Sequence, residues 1–312
     1  MKLLSVIVNF RTAEMTMDSI RACLKETASI PDSHISVVDN DSGDGSWEKL
    51  VEFVNREGLN DRVRVIKSPI NGGFGYGNNV AIRLAMESAS KPDYVYLLNS
   101  DAFPDPNAVT TLLNFLETHS DVGIAGSWIH GEDGEFHHTV FRFPTWQSEL
   151  EGALRFGPVT KLLGKYSVVR TPVPTEPTEV DWTAGCSFMM RRQLLENVGM
   201  FDESFFLYFE ETDLCKRAKQ AGWSTYYVPN SKITHIGSAS TGMKNTNKPV
   251  PSYWFQSREH YFRKNHGAAY LLLTNVIWLI GFSIWRLRRI IQRKPDTDPP
   301  NLLRDFFRHN FL

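Results

Sequence analysis

Cysteine is scarce in this chain, net charge is close to zero, and no low-complexity tract or internal repeat is visible. The three cysteines, Cys23, Cys186 and Cys215, have no paired spacing. That argues against a disulfide framework and a zinc knuckle, and fits a reducing compartment. A net charge of -1 gives no general reason to expect nucleic-acid binding. The first residues run straight into an apolar strand at residues 3–8, without the basic segment, long apolar run and cleavage site of a secretory signal. Neither the dinucleotide fingerprint nor the P-loop spacing is present. What remains is a globular composition, 42% hydrophobic and 22% charged over 312 residues. That length suits one large domain, or one domain plus an extension.

The apolar pattern predicts strands at residues 3–8, 35–38, 63–66 and 94–98, each followed by a loop and then a helix. The helices fall near residues 13–25, 47–56 (with Ser46 as N-cap), 79–88 and 107–117. Such alternation predicts an α/β fold with a doubly wound, mostly parallel sheet, and its loops all follow strands on one edge. Between residues 123 and 180 the pattern weakens and prolines recur, so this stretch reads as an irregular insertion over one side of the site. Order returns at residues 180–190, followed by a helix at 211–220 and short extended pieces at 226–228 and 233–235.

Several segments can carry chemistry. Tyr94 to Leu98 reads as a buried strand that ends in Asn99-Ser100-Asp101, with Pro104 and Pro106 beyond it. A carboxylate at the carboxyl edge of a central strand can hold a divalent cation against a diphosphate, or simply cap a turn. Asp39 ends the second strand, where it can accept a hydrogen bond from a nucleobase N–H or stand in a solvated turn. Four glycines within residues 72–77 allow close backbone approach to a ligand, or make a plain flexible loop. The aromatic run 205–209 leads into Glu210-Glu211-Thr212-Asp213. These acids suit a helix start. A partly desolvated carboxylate there is also a better base. His235 is a lone histidine, structural or ligating.

Taken in order, these pieces resemble a family 2 glycosyltransferase of the GT-A fold, in its bacterial rhamnosyltransferase-like branch. The matching residues are Val8-Asn9-Phe10, Val37-Val38-Asp39-Asn40, Asn71-Gly72-Gly73-Phe74 with Gly77-Asn78-Asn79, and Leu97-Leu98-Asn99-Ser100-Asp101. Trp182 to Gly185, Val198 to Glu203, Phe205 to Leu214 with Arg217, and Pro229 to His235 follow. The resemblance covers about residues 3–240. It implies a nucleotide-sugar site built from Asn9, Asp39, Asn40, Gly72, Gly73, Phe74, Asn78, Asn99, Ser100 and Asp101. It also implies Mg²⁺ or Mn²⁺ on Asp101 and His235, and sugar or acceptor contacts from Asp181, Trp182, Ala184 and Gly185. The base that takes the acceptor proton is Glu211, with Asp213 and then Glu210 as alternatives, and the product is inverted.

Two departures stand out. The metal motif of this fold is commonly Asp-x-Asp, but Asn99 holds its first position. The usual base is the Asp of a Glu-Asp pair, which falls here on Glu211. The implied donor is dTDP-L-rhamnose, with UDP-galactofuranose or UDP-N-acetylglucosamine as the alternative, and the implied acceptor is a saccharide or lipid-linked saccharide. A non-catalytic nucleotide-sugar-binding protein is a further alternative. A nucleotidyltransferase would carry a basic, glycine-rich loop after the first strand, and Asn9-Phe10-Arg11-Thr12 has no glycine.

Residues 241–312 form a helical extension to the domain at 1–240. Residues 268–285 are eighteen in a row without charge, flanked on both sides by basic residues. Their length as a helix is about 27 Å, barely a bilayer core. Arg286, Arg289 and Arg293 share one helical face. That pattern predicts a helix lying on the anionic inner face of the cell membrane, with a cytoplasmic, peripheral location. A buried hairpin or a homodimer contact is the alternative use of the same helix.

Overall fold

The computed structural model describes residues 2–237 and 247–312. The chain opens with β1 (Lys2–Asn9), α1 (Ala13–Glu26), β2 (Asp32–Asp39), α2 (Ser46–Arg56), β3 (Val63–Lys67) and α3 (Gly73–Glu87). Then come β4 (Tyr94–Asn99), β5 (Ala102–Pro104), α4 (Ala108–Thr118), β6 (Val122–His130), β7 (Phe136–His137) and β8 (Val140–Phe141). The middle of the chain holds α5 (Trp146–Leu154), α6 (Gly157–Leu163), β9 (Thr178–Val180), β10 (Trp182–Thr183), β11 (Ser187–Arg191) and α7 (Arg192–Val198). The last elements are α8 (Glu210–Gln220), β12 (Ser224–His235), α9 (Ser252–His266), α10 (Ala268–Ile291) and α11 (Leu302–Phe311).

One sheet runs in the order β3-β2-β1-β4-β11-β6-β12-β5, with β7 on β6 and β9 on β12. β3, β2, β1 and β4 are mutually parallel. β11 inserts antiparallel between β4 and β6, and β12 returns parallel to β6. Side chains alternate across the pleat, so β1 feeds both faces. Leu3 and Ile7 pack with Ile20, Phe53 and Leu112 on one side. Leu4 and Val6 pack with Ile82, Leu194 and Leu214 on the other. Burial on both faces is why these strands read as continuous apolar runs.

Four local expectations are corrected. Residues 123–180 are not a wholly irregular insertion, because β6 is an inner strand of the sheet. Its glycines weaken the strand signal, yet a Cβ on Gly126 would lie 2.4 Å from the Thr183 side chain. Close layer packing therefore requires glycine there. The extended pieces at 226–228 and 233–235 are one strand, β12, with a register shift between Val228 and Lys232. Pro229 lies within that shift and has no N–H for the ladder. Ser46 does not cap α2 from outside; it begins the helix, and its N–H and hydroxyl both donate to Asp44 Oδ1. The stretch 71–79 is not a free loop, since α3 starts at Gly73.

The expected boundary at residue 240 lies outside the described residues. Beyond the gap, α9 packs under the aromatic run, with Phe205, Tyr261, Phe262 and Leu271 forming one cluster. α10 lies against α5 and α11 through Ala153, Phe282, Trp285, Trp278 and Leu302.

Candidate active site

The strand register brings the functional ends to one edge. Asn9 pairs with Asp39 and Val8 with Asn99, so β1, β2 and β4 finish side by side. A cleft of about 570 Å³ opens there. Asn99, Ser100 and Asp101 line it, and β5 turns back to pair with the end of β12, which delivers His235. His235 Nε2 lies 3.1 Å from Asp101 Oδ1 and 3.5 Å from Asn99 Nδ2. Burial works against charging His235, but the neighbouring Cys186 and the Asp101 carboxylate outweigh it and push the imidazole up to about 10.

This carboxylate–imidazole pair fits a divalent cation, which would take the place of the shared proton. Among the described residues no three His, Cys, Asp or Glu side chains converge as a ready cage. Such an ion would draw most of its ligands from substrate phosphate and water.

On the opposite wall, α3 begins almost in contact with the aromatic run. Gly73 has φ of +90°, and a Cβ there would sit 1.7 Å from the Phe206 carbonyl oxygen. The Phe74 N–H donates to that same carbonyl at 3.0 Å. Asn40 Nδ2 donates to Asn71 Oδ1 and to the Gly73 carbonyl, each at 3.0 Å, which leaves Asn40 Oδ1 buried without a partner. Asn40, Gly73 and Phe74 line the cleft. Asn9 and Asp39 stand behind this wall. The Asn9 amide donates to Asp39 and Ser42, and Asp39 also accepts from Ser42. Gly72 and Asn78 are likewise off the lining, and Asn78 Nδ2 is spent on the Phe74 carbonyl.

Two of the three acids at the start of α8 face the cleft. Glu210 is 2% exposed, and burial together with the charge of Glu211 raises its pKa well above the ordinary carboxylate value. Burial lifts Glu211 to about 7, against the pull of its own backbone N–H and that of Gly185. The Oε2 atom of each has no hydrogen-bond partner. Burial and the neighbouring charge thus favour the protonated form of Glu210, and Glu211 is the more readily ionised of the pair. Phe209, just before them, has φ of +70°, as does Tyr208. For non-glycine residues that conformation costs about 1 kcal/mol or more each.

Asp213, the alternative base expected from the sequence, does not line the cleft. It is fully buried on the far side of α8, where Arg217 Nε and Lys264 Nζ each donate to its Oδ2 at 2.8 Å. Ala184 and Gly185 line the cleft, but Asp181 and Trp182 do not. Asp181 accepts from Lys219 and the Phe143 N–H, and Trp182 stacks on Phe141 at 4.1 Å. Sequence reasoning missed His137 of β7 and His138 just after it, the outward Phe206, Leu207 and Tyr208, and Tyr253 from α9. The aromatic run was the one visible signal; nothing in the sequence tied Tyr253 to it.

A mostly parallel sheet, a cleft at its carboxyl edge, an acid beyond the central β4 strand and a carboxylate pair opening a facing helix define the GT-A fold of glycosyltransferases. The chain belongs to Glycosyl transferase family 2, whose profile matches residues 5–213. It is 29% identical over 221 residues to an N-acetylglucosaminyl-diphospho-decaprenol L-rhamnosyltransferase of Mycobacterium tuberculosis, across 67% of this chain and 68% of that one. It is 21% identical over 280 residues to the dTDP-rhamnosyl transferase RfbF of Shigella flexneri, across 88% and 84%. A mannosyltransferase of Pyrobaculum calidifontis, solved with GDP-Man and Mn²⁺, shares the fold with a TM-score of 0.59 at 12% identity, across 95% of this chain and 76% of that one.

Proposed function

We propose that this glycosyltransferase moves L-rhamnose from dTDP-L-rhamnose to a saccharide carried on a lipid diphosphate, with inversion and with Mg²⁺ or Mn²⁺. The observation that carries the mechanism is the Glu210–Glu211 pair facing the Asp101–His235 pair across one cleft. The nucleobase lies against the end of β2, where the buried Asn40 Oδ1 has no partner and the buried Asp39 carboxylate precedes it. A divalent ion on Asp101 and His235 would neutralise charge developing on the leaving diphosphate. Glu211 takes the proton of the acceptor hydroxyl as that oxygen bonds to the anomeric carbon. The bond from that carbon to the diphosphate breaks on the opposite face, and dTDP leaves. Glu210, protonated, keeps the pair at a single negative charge. The rhamnosyl donor and the lipid-linked acceptor are supported by the names of the two curated relatives. Attachment of α10 to the inner face of the cell membrane would bring the enzyme to such an acceptor.

A second reading rests on Asn99, which stands where the fold commonly has a metal-binding acid: a nucleotide-sugar-binding protein without turnover. Calorimetric titration with dTDP and UDP, with and without Mn²⁺, tests the site. We expect metal-dependent binding that prefers dTDP. Preference for UDP would discard the rhamnosyl donor, and binding of the donor with no turnover on any acceptor would favour the second reading. Binding of neither nucleotide by folded protein would overturn both.

A further inference from the structure

The chain segment that carries Glu210 and Glu211 also turns aromatic faces into the cleft. Phe205 and Phe209 point inward, Phe205 against His260 at 4.6 Å and Phe209 against Tyr261 at 5.4 Å. Between them, Phe206 and Tyr208 line the cleft. Tyr253 of α9 joins them, 5.4 Å from Phe206 and 6.3 Å from Tyr208 between ring centroids. Phe206 is 38% exposed. Phe205, its neighbour on the inward side, is by contrast fully buried, while Tyr208 and Tyr253 are half-buried beside it.

The group is held rigidly. The Phe206 carbonyl accepts from the Phe74 N–H at 3.0 Å, and the Leu207 carbonyl accepts from Ser257 Oγ at 2.9 Å. The positive φ angles of Tyr208 and Phe209 set the alternation of outward and inward rings.

We infer that Phe206, Tyr208 and Tyr253 form a stacking platform for the pyranose ring of the acceptor, so that α9 of the C-terminal extension is a wall of the acceptor subsite. A pyranose ring presents a face of C–H groups, which is apolar, and a rim of hydroxyls, which stays hydrated. An aromatic face next to the base suits that combination better than a charged or purely aliphatic wall. Phe206 and Tyr208 share the cleft lining with Glu211, which must reach the acceptor hydroxyl, and their segment leads directly into the helix that Glu210 and Glu211 open. This inference rests on the glycosyltransferase mechanism proposed above.

The test uses the full chain, with and without dTDP and Mg²⁺. Saturation-transfer NMR would be recorded with methyl pyranosides of N-acetylglucosamine, rhamnose, galactose and mannose. At least one glycoside should bind, with the protons of one ring face most strongly saturated. Tyr253→Ala and Phe206→Ser should each weaken that binding about tenfold. Tyr253→Phe, which keeps the ring, should match the wild type. The dTDP affinity of all three variants, measured by calorimetry, should be unchanged. Binding of no pyranoside would overturn the inference, as would variants that bind as the wild type does. A parallel loss of dTDP affinity would make the platform a nucleobase stack instead. Failure of the wild type to bind dTDP or UDP would count against the proposed function alone, since glycoside binding is also read without nucleotide.

Discussion

In the proposed mechanism the chain neighbours Glu210 and Glu211 have opposite tasks: burial raises the pKa of both, the charge of Glu211 raises Glu210 further, and backbone N–H groups hold Glu211 back. Glu211 lies near the ordinary working range of a general base, about pH 7. We therefore expect kcat to rise with pH through about 7 and then level off, as Glu211 ionises. Glu211→Gln should lower kcat by roughly 10²- to 10⁴-fold while dTDP binding stays close to wild type. A mild loss in that variant would remove Glu211 as the base. The same pKa carries a cost in stability. Because the folded pKa lies above the unfolded one, the folded state binds more protons between the two values, and stability falls as pH rises through that window. Thermal melts at about pH 5 and pH 8 should accordingly show a smaller drop for Glu211→Gln than for the wild type.

At the scale of elements, α10 changes the expected picture of the extension. The helix runs 24 residues, about 36 Å, and exposes Leu272, Leu273, Val276, Ile280, Ile284, Leu287 and Ile291 along its outer side. Its other side is anchored: Asn275 accepts from the buried Arg258, and Trp278 stacks on Phe306 at 3.9 Å. A crossing helix would have to give up those contacts, so a helix lying in the interface suits the structure better. The arginines are less available than their sequence suggests. Arg286 and Arg289 pair with Asp296 at 2.9 Å, and Arg288 donates to the Leu154 and Arg155 carbonyls. Attachment should therefore be apolar in character. Co-sedimentation with phosphatidylcholine vesicles should persist in high salt, and replacing Leu273, Ile280 and Leu287 together by Ser should abolish it. Protein that stays in the supernatant with neutral and anionic vesicles alike would sink the membrane role.

Across the whole molecule, the extension is bonded into the catalytic domain. Lys264 of α9 bridges Asp202 and Asp213 at 2.8 Å each, so α9 fixes the helix that begins with the carboxylate pair. Arg258 is the largest fully buried side chain among the described residues. It donates to Glu149 of α5 and to Asn275 of α10, joining three helices. Removing one partner of a buried ion pair strands the other charge, so Arg258→Ala should cost about 3–5 kcal/mol, read by urea unfolding. A cost below about 1 kcal/mol would show that Glu149 is rescued by water, as exposed pairs are.

Local pattern alone determined the alternating strands and helices, the acids at the ends of β2 and β4, and the carboxylates opening α8, because burial on both sheet faces writes continuous apolar runs and strand ends need turn residues. It also carried the family, whose motifs stand in order along the chain. Which acids line the cleft was decided only in three dimensions. Glu211 and Asp213 lie two residues apart on one helix, and its rotation turns one into the cleft and the other into Arg217 and Lys264. The role of the glycines was tertiary as well: Gly73 and Gly126 answer to Phe206 and Thr183, residues far away in sequence. Tyr253 joins the cleft for the same reason, since only packing of α9 against the aromatic run brings it there.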